Sequence, residues 1–333
     1  MAHRDIVVIG ASAGGVEALA ALVRQLPSDL GAAVFVVLHL SPEHKSVLPR
    51  ILSSAGPLTA KHARNGETIL PNRIYVARPD HHLLVQNGHV RVVRGPRENG
   101  HRPAIDPLFR TAAFTFGARV IGIVLSGALD DGTAGLAAVK SQGGLAVVQD
   151  PNDALVDAMP RSALENVDVD HVLPVAELGK MLPQLVGETV EALPAARSAV
   201  LDVESALQLN GSTDGALKVG HPSSLACPDC GGVLNEVHDG DLLRFRCRVG
   251  HAFAPETLYI EQRTELEGAL WAALRALEEQ AALSKRLAVR ARELGHSKSA
   301  IRYDERAHSA QTQARTVRDA LRLGAAPKTD AAE

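Results

Sequence analysis

An α/β fold built on a mostly parallel sheet is what the first half of this sequence predicts, and three observations carry that expectation. Residues 6–9, 33–39, 73–76, 120–126 and 145–149 form near-continuous β-branched runs, the pattern of strands covered on both faces. Amphipathic stretches at 16–26, 47–54, 107–116 and 133–142 alternate with them, as helices between parallel strands must. A glycine-rich turn, GASAGG at 10–15, joins the first strand pattern to the first helix pattern. One interruption, HHLLVQNGHVRVV at 81–93, alternates around Asn87-Gly88 and reads as a β-hairpin.

The 333 residues suffice for a large domain plus an appendage, with 46% hydrophobic and 22% charged residues, a globular composition. Aromatics are only 3%, so Val, Leu, Ile and Ala must build the core. A net charge of −3 gives no electrostatic case for nucleic acid or a membrane surface as partner. No signal peptide is recognisable, and no apolar run reaches the roughly 20 residues that span a bilayer. With three clustered cysteines, this predicts a cytoplasmic protein with a local thiol site.

The predicted organisation has five parts: a catalytic domain at 1–185, a linker at 186–224, a Cys/His module at 225–254, helices at 255–325 and a disordered tail at 326–333. The linker is small, polar and weakly periodic, with one short helix around 200–209. Beyond it, Leu266, Leu270, Leu274, Leu277 and Ala281 recur at helical spacing, as do Ala310, Ala314, Val317 and Leu321. Gly295 lies between the two runs, which predicts a helical hairpin or a coiled coil.

The opening turn admits two chemistries. As a dinucleotide loop it needs an acidic residue at the end of the second strand. That strand ends in His39, with no carboxylate before Glu43. As a G-x-S-x-G elbow it exposes Ser12, and partners stand at comparable strand ends. His39 ends the second strand, and VIGIVLSG runs out into a turn carrying Asp130 and Asp131. A serine hydroxyl needs an imidazole to take its proton and a carboxylate to orient that imidazole. Each feature alone has an ordinary structural reading; their convergence favours a triad.

Six blocks, VVIGASAGG, VVLHLSPEH, NRIYVARPDHHLLV, RPAIDPLFRTAA, VLSGALDDGTAGL and QDPNDALVDAMPRSAL, resemble in order and spacing those of the CheB family of chemotaxis methylesterases. The resemblance covers about residues 4–182. It implies a doubly wound α/β sheet and hydrolysis of glutamate methyl esters on methyl-accepting receptors, with glutamine deamidation an open addition. Carried over by position, it implies Ser12 as nucleophile, His39 as base and Asp131, before Gly132, as the orienting carboxylate. The oxyanion donors would be the backbone amides of Ala13 and Ala128, and Arg102 is a candidate for meeting an acidic receptor. No cofactor is implied for catalysis. The family's receiver domain has no counterpart before residue 4, so either activity is constitutive or control is expected from another chain, such as a response regulator or histidine kinase complex, or from the C-terminal extension.

Cys227-x2-Cys230 and Cys247-x3-His251 have the spacing of paired zinc knuckles. Three thiolates and one imidazole predict a closed structural Zn2+ site in a zinc-ribbon-like module; His238 is a spare donor. A redox Cys-x-x-Cys would want a thioredoxin-like context that is missing. The following helices are expected to bind a protein partner or to self-associate. The competing reading of the whole chain is a non-catalytic signalling scaffold of the same fold, acting through its zinc and helical region.

Overall fold

The structure is a computed structural model and describes residues 2–43, 45–191, 198–210 and 220–324. The expected tail, and the parts of the expected linker at 192–197 and 211–219, lie outside the described residues. The chain forms two compact units, the first reaching Leu258 and the second starting at Tyr259.

The first unit opens with β1 (Ala2–His3), β2 (Ile6–Ala11), α1 (Gly15–Arg24), β3 (Ala33–Leu38), α2 (Leu48–Ala55), β4 (Thr59–His62) and β5 (Arg73–Val76). The hairpin of β6 (His82–Gln86) and β7 (His89–Val93) follows, then α3 (Ile105–Phe116), β8 (Val120–Val124), α4 (Thr133–Ser141), β9 (Leu145–Gln149), α5 (Ala158–Asn166), β10 (His171–Leu173) and α6 (Val175–Leu185). Seven strands form one sheet in the order β10-β9-β8-β2-β3-β5-β4, and every pairing is parallel. From β2 the chain winds outward through β3 to one edge, then returns to β8 on the other side of β2. That reversal puts a switch point at the carboxyl ends of β2, β3 and β8.

Both sheet faces are dry, as the β-branched runs predict. In β2, Val7, Ile9 and Ala11 pack on one side with Leu19, Leu22, Leu52 and Leu182 of α1, α2 and α6. Ile6 and Val8 pack on the other with Phe109, Leu136 and Met159 of α3, α4 and α5. The 81–93 hairpin forms with Asn87 and Gly88 at φ 49° and 76°, the two positive values its tight turn requires. The edge strand β4 was not expected: Lys61 and His62 dilute the apolar signal in a strand covered on one edge only.

The unit continues through β11 (Thr189–Val190), which pairs with β1, and α7 (Ala199–Asn210). It then forms an antiparallel sheet of β12 (Gly220–Ala226), β13 (Val233–Asp239), β14 (Leu242–Cys247) and β15 (Ala252–Phe253). Polar residues of α7 that read as solvated linker are buried, Glu204, Ser205 and Gln208 among them. The reason is charge. Arg244 and Arg246 of β14, Arg110 of α3, Glu98 and Glu204 are all at most 5% exposed and pair with one another. Arg110 reaches Glu98 at 2.6 Å, Arg246 reaches Glu98 at 2.9 Å and Glu204 at 3.0 Å, and Arg244 reaches Glu204 at 2.5 Å. Burial works against ionising Glu98, yet Arg110, Arg246 and Arg244 hold its carboxyl well below the usual carboxylate range.

Helix α8 (Pro255–Glu293) leads into the second unit, where α9 (Ser297–Gly324) follows a turn at Gly295, φ 72°. Within that unit α9 runs back along α8: Leu274, Ala314 and Leu321 pack with Leu270, Leu277 and Val317, and Arg292–Asp304 and Glu278–Arg318 pair across the helices. Among the described residues no helix is long and apolar enough to cross a membrane.

Removing one partner from a buried ion cluster strands the others in low dielectric. Arg246→Leu is therefore expected to lower unfolding free energy by about 3–5 kcal/mol, measured by urea denaturation of the full chain.

Candidate active site

Ser12 directly follows β2 and His39 directly follows β3. The parallel register pairs Gly10 with Val37 and Ala11 with Leu38, so the two side chains emerge side by side. The backbone fixes both ends: His39 N–H donates to Ala11 O at 3.2 Å, and Ser12 N–H donates to Ser126 O, beyond β8, at 2.9 Å. The turn after Ser12 passes through Gly14 at φ 74°, where a Cβ would come within 2.7 Å of both Leu155 Cβ and Ser126 Oγ. At Gly127 a Cβ would meet Met159 Sδ at 2.1 Å and Ser12 Cβ at 2.9 Å. Both glycines let backbone close on the serine.

Ser12 Oγ lies 3.1 Å from His39 Nδ1, and His39 Nε2 lies 2.7 Å from Asp131 Oδ2. Asp130 turns elsewhere, its carboxylate accepting from Thr257 Oγ1. With Nε2–H donating to Asp131, the Nδ1 lone pair faces the serine hydroxyl. That tautomer can accept a proton from Ser12 while the carboxylate holds the ring.

Asp131 is held as tightly as the imidazole. Helix α3 begins without a side-chain cap of its own, because its N-cap is Ala104. Asp131 supplies that cap from the turn before α4: Ile105 N–H donates to Oδ2 at 2.7 Å and Asp106 N–H to Oδ1 at 3.3 Å. Asp106 returns the favour to α4, its Oδ1 accepting from Gly132 N–H at 3.1 Å and Gly135 N–H at 2.6 Å. Burial and the neighbouring Asp131 charge push the Asp106 carboxyl up to about 7. For Asp131, burial acts in the same direction. The bond and charge of His39, with the Ile105 amide, overcome it and bring the carboxyl down to about 2. Of two adjacent buried carboxylates, the one facing His39 stays ionised.

Two residues that sequence reasoning missed complete the setting. Glu98 and His101 exchange backbone hydrogen bonds at 3.2 and 2.9 Å around Asn99 and Gly100, whose φ values are 50° and 72°. Asn99 Nδ2 donates to Asp131 Oδ1 at 2.8 Å, and the His101 ring stacks on His39 with centroids 3.7 Å apart. The dipeptide Asn99-Gly100 carried the signal for this tight turn, but no strand pattern beside it marked where the turn would point.

The remaining predicted residues fall as follows. Ala13 and Ala128 are exposed beside the serine turn and in the loop after β8. Among the described residues neither amide has a hydrogen-bond acceptor. Leu129, next to Ala128, sits at φ 63°, a strained value for a branched residue. Arg102 is occupied: its guanidinium bonds Asp80 Oδ1 at 2.8 and 2.5 Å and Gly95 O at 2.8 Å, and among the described residues it makes no hydrogen bond or ion pair to the triad.

Cys227, Cys230, Cys247 and His251 converge, their donor atoms all within 4.8 Å of one another. Cys230 Sγ lies 3.8 Å from Cys247 Sγ, and His251 Nδ1 lies 3.7 and 3.5 Å from the sulfurs of Cys227 and Cys247. The edges of a tetrahedron with Zn–S near 2.3 Å and Zn–N near 2.1 Å are about 3.6–3.8 Å, so the donor set fits such an ion. Two turns present it: Gly231 N–H donates to Cys227 O at 2.8 Å, and Gly250 N–H to Cys247 O at 3.0 Å.

The CheB methylesterase family matches residues 7–182. A protein of Anaeromyxobacter dehalogenans named protein-glutamate methylesterase/protein-glutamine glutaminase 2 is 38% identical over 184 residues, which are 55% of this chain and 54% of that one. A Pyrococcus horikoshii protein named protein-glutamate methylesterase/protein-glutamine glutaminase is 32% identical over 194 residues, 57% of this chain and 52% of that one. The chain thus spans about half the length of these two relatives. The crystal structure of the Thermotoga maritima CheB methylesterase catalytic domain superposes with a TM-score of 0.53 at 35% identity, covering 55% of this chain and 98% of that one. With the family's match spanning more than half the sequence, the chain belongs to the CheB methylesterase family.

Proposed function

We propose that this protein is a serine esterase that hydrolyses glutamate methyl esters on chemotaxis-type signalling receptors through an acyl-enzyme. The observation that carries the reading is the continuous chain Ser12 Oγ, His39 Nδ1, His39 Nε2, Asp131 Oδ2, with links of 3.1 and 2.7 Å. Ser12 attacks the ester carbonyl as His39 Nδ1 accepts its proton. The negative charge on the carbonyl oxygen is met by the unengaged amides of Ala13, at the start of α1, and Ala128. His39 returns the proton to the departing methoxide, and methanol leaves. Water, deprotonated by the same nitrogen, then releases the glutamate. A glutamine side chain would follow the same course with ammonia leaving, in keeping with the paired activities in the relatives' names.

His101 protects this cycle. Burial, with the facing His39, holds its imidazole down at about 4, so no permanent cation lies against the ring that must become one. The Cys3His group is read as a structural Zn2+ site that stabilises a zinc-ribbon-like sheet, and α8 with α9 as a helical hairpin for protein contacts. In this reading the catalytic module ends near residue 185 and the two smaller modules follow it.

Methanol release from a methylated receptor fraction tests the reading. Ser12→Ala is expected to lose about 10³-fold or more of the native rate. Equal background release from both proteins would favour the scaffold reading. A second expectation concerns pH. Folding favours neutral His101, whereas the unfolded chain takes up that proton from pH 6.5 downward, so acidification from 6.5 to about 4 costs stability. His101→Phe keeps a ring against His39 and removes the titration. The stability–pH curve of the variant, followed by urea denaturation, should be flatter over that window.

A further inference from the structure

The turn at 98–101 is where the catalytic site meets the Cys/His sheet. Asn99 N–H donates to Ala252 O at 2.7 Å, and Ala254 N–H donates to Asn99 Oδ1 at 2.8 Å. Ala252 N–H donates to Arg97 O at 3.3 Å. The strand β15 and the residue after it therefore hold the backbone and the side-chain oxygen of Asn99, leaving its Nδ2 aimed at Asp131 Oδ1 and, at 3.2 Å, Asp106 Oδ2. Asn99 is 2% exposed, so water offers no substitute for these partners.

The segment that grips Asn99 is itself set by the metal-ligating turn. Cys247 N–H donates to His251 O at 2.9 Å, closing the loop between β14 and β15, and Ala252 follows His251 directly. Arg246, next to Cys247, bonds Gly250 O inside that loop at 2.8 Å and Glu98, next to Asn99, at 2.9 Å. Two short paths thus run from the Cys/His group to the turn at 98–101. One passes through Ala252 and Ala254, the other through Arg246 and Glu98.

We propose that Asn99 is a positioning residue for Asp131 and that metal bound by Cys227, Cys230, Cys247 and His251 sets its position, so that the esterase is switched by occupancy of the C-terminal site. An ion in that site fixes residues 247–251, which fixes β15, which fixes the Asn99 amide against the carboxylate that orients His39. Loss of the ion frees β15 and lets Asp131 lose one of its four donors. The proposal rests on the esterase reading for its kinetic consequence and on geometry alone for its structural one.

The experiment uses the full chain loaded with Zn2+, the same chain stripped by a chelator, and the stripped chain with Zn2+ restored. Two variants accompany it. Asn99→Gly keeps the positive φ and removes the side chain. Asn99→Asp keeps an acceptor for Ala254 N–H and sets a carboxylate against Asp131. Stripping should lower kcat for ester hydrolysis by on the order of tenfold with KM within about twofold, and Zn2+ should restore it. Asn99→Gly should lower kcat by about 10²-fold, and stripping that variant should change nothing further. Asn99→Asp should shift the acid limb of the kcat–pH profile upward, which a merely structural contact would not do. Independently of turnover, the imidazole N–H proton between His39 and Asp131 should give a downfield NMR resonance that broadens on stripping and returns with Zn2+. Losses from stripping and from Asn99→Gly that multiply, or an imidazole resonance indifferent to Zn2+, would overturn the proposal. Absence of ester hydrolysis in the loaded native chain would defeat the esterase reading alone, with the resonance still deciding the coupling.

Discussion

The structure turns on one buried carboxylate. Asp131 is 2% exposed and ionised, and a charge in that position persists only if every lone pair is answered. Its donors come from three directions: the unfilled N-terminus of α3, the Asn99 amide and His39. Because Asp106, in the first turn of α3, caps α4 in exchange, the two helices behind the sheet are fixed in register by hydrogen bonds as well as by packing. Strand order then brings Ser12 and His39 together at the carboxyl ends of neighbouring strands. The Ser12–His39–Asp131 geometry and helix placement are one set of bonds.

The buried ion cluster works on a larger scale. Ion pairs of this kind contribute little net stability compared with an apolar core of equal volume, but they tolerate few alternative arrangements. Glu98 and Glu204 each meet more than one arginine, and the arginines come from different elements, α3 and β14. A slide of one residue in β14 would turn Arg244 and Arg246 to the opposite face. The cluster thus specifies register for a small four-stranded sheet whose own apolar cluster is modest, built around Leu234, Phe245, Phe253 and Leu258.

What could be seen in the sequence was what local chemistry repeats. β-branched runs marked the central strands, and the elbow around Ser12 with His39 at the next strand end marked the corner where Ser12, His39 and Asp131 meet. Paired knuckle spacing marked the thiols. What stayed hidden depended on distance in the chain. Arg244 and Arg246 alternate with Phe245, a pattern that reads as two solvated residues flanking a buried one; here Glu98 and Glu204 draw both arginines inward. Glu204 likewise looked like the polar face of a short linker helix. Asn99 and His101 stand in a turn, where hydrophobic period says nothing, and their partners Asp131 and His39 are remote in sequence.

Because the family's match ends at residue 182 while the compact unit runs to Leu258, the buried cluster straddles the family-matched part of the chain and the part that follows it. Glu98 and Arg110 lie in the first part, and Glu204, Arg244 and Arg246 in the second. The two parts share one set of buried charges. Neutralising the acid at 98 would strand the bases at 244 and 246, so the segment after residue 182 serves as part of the scaffold of the domain before it.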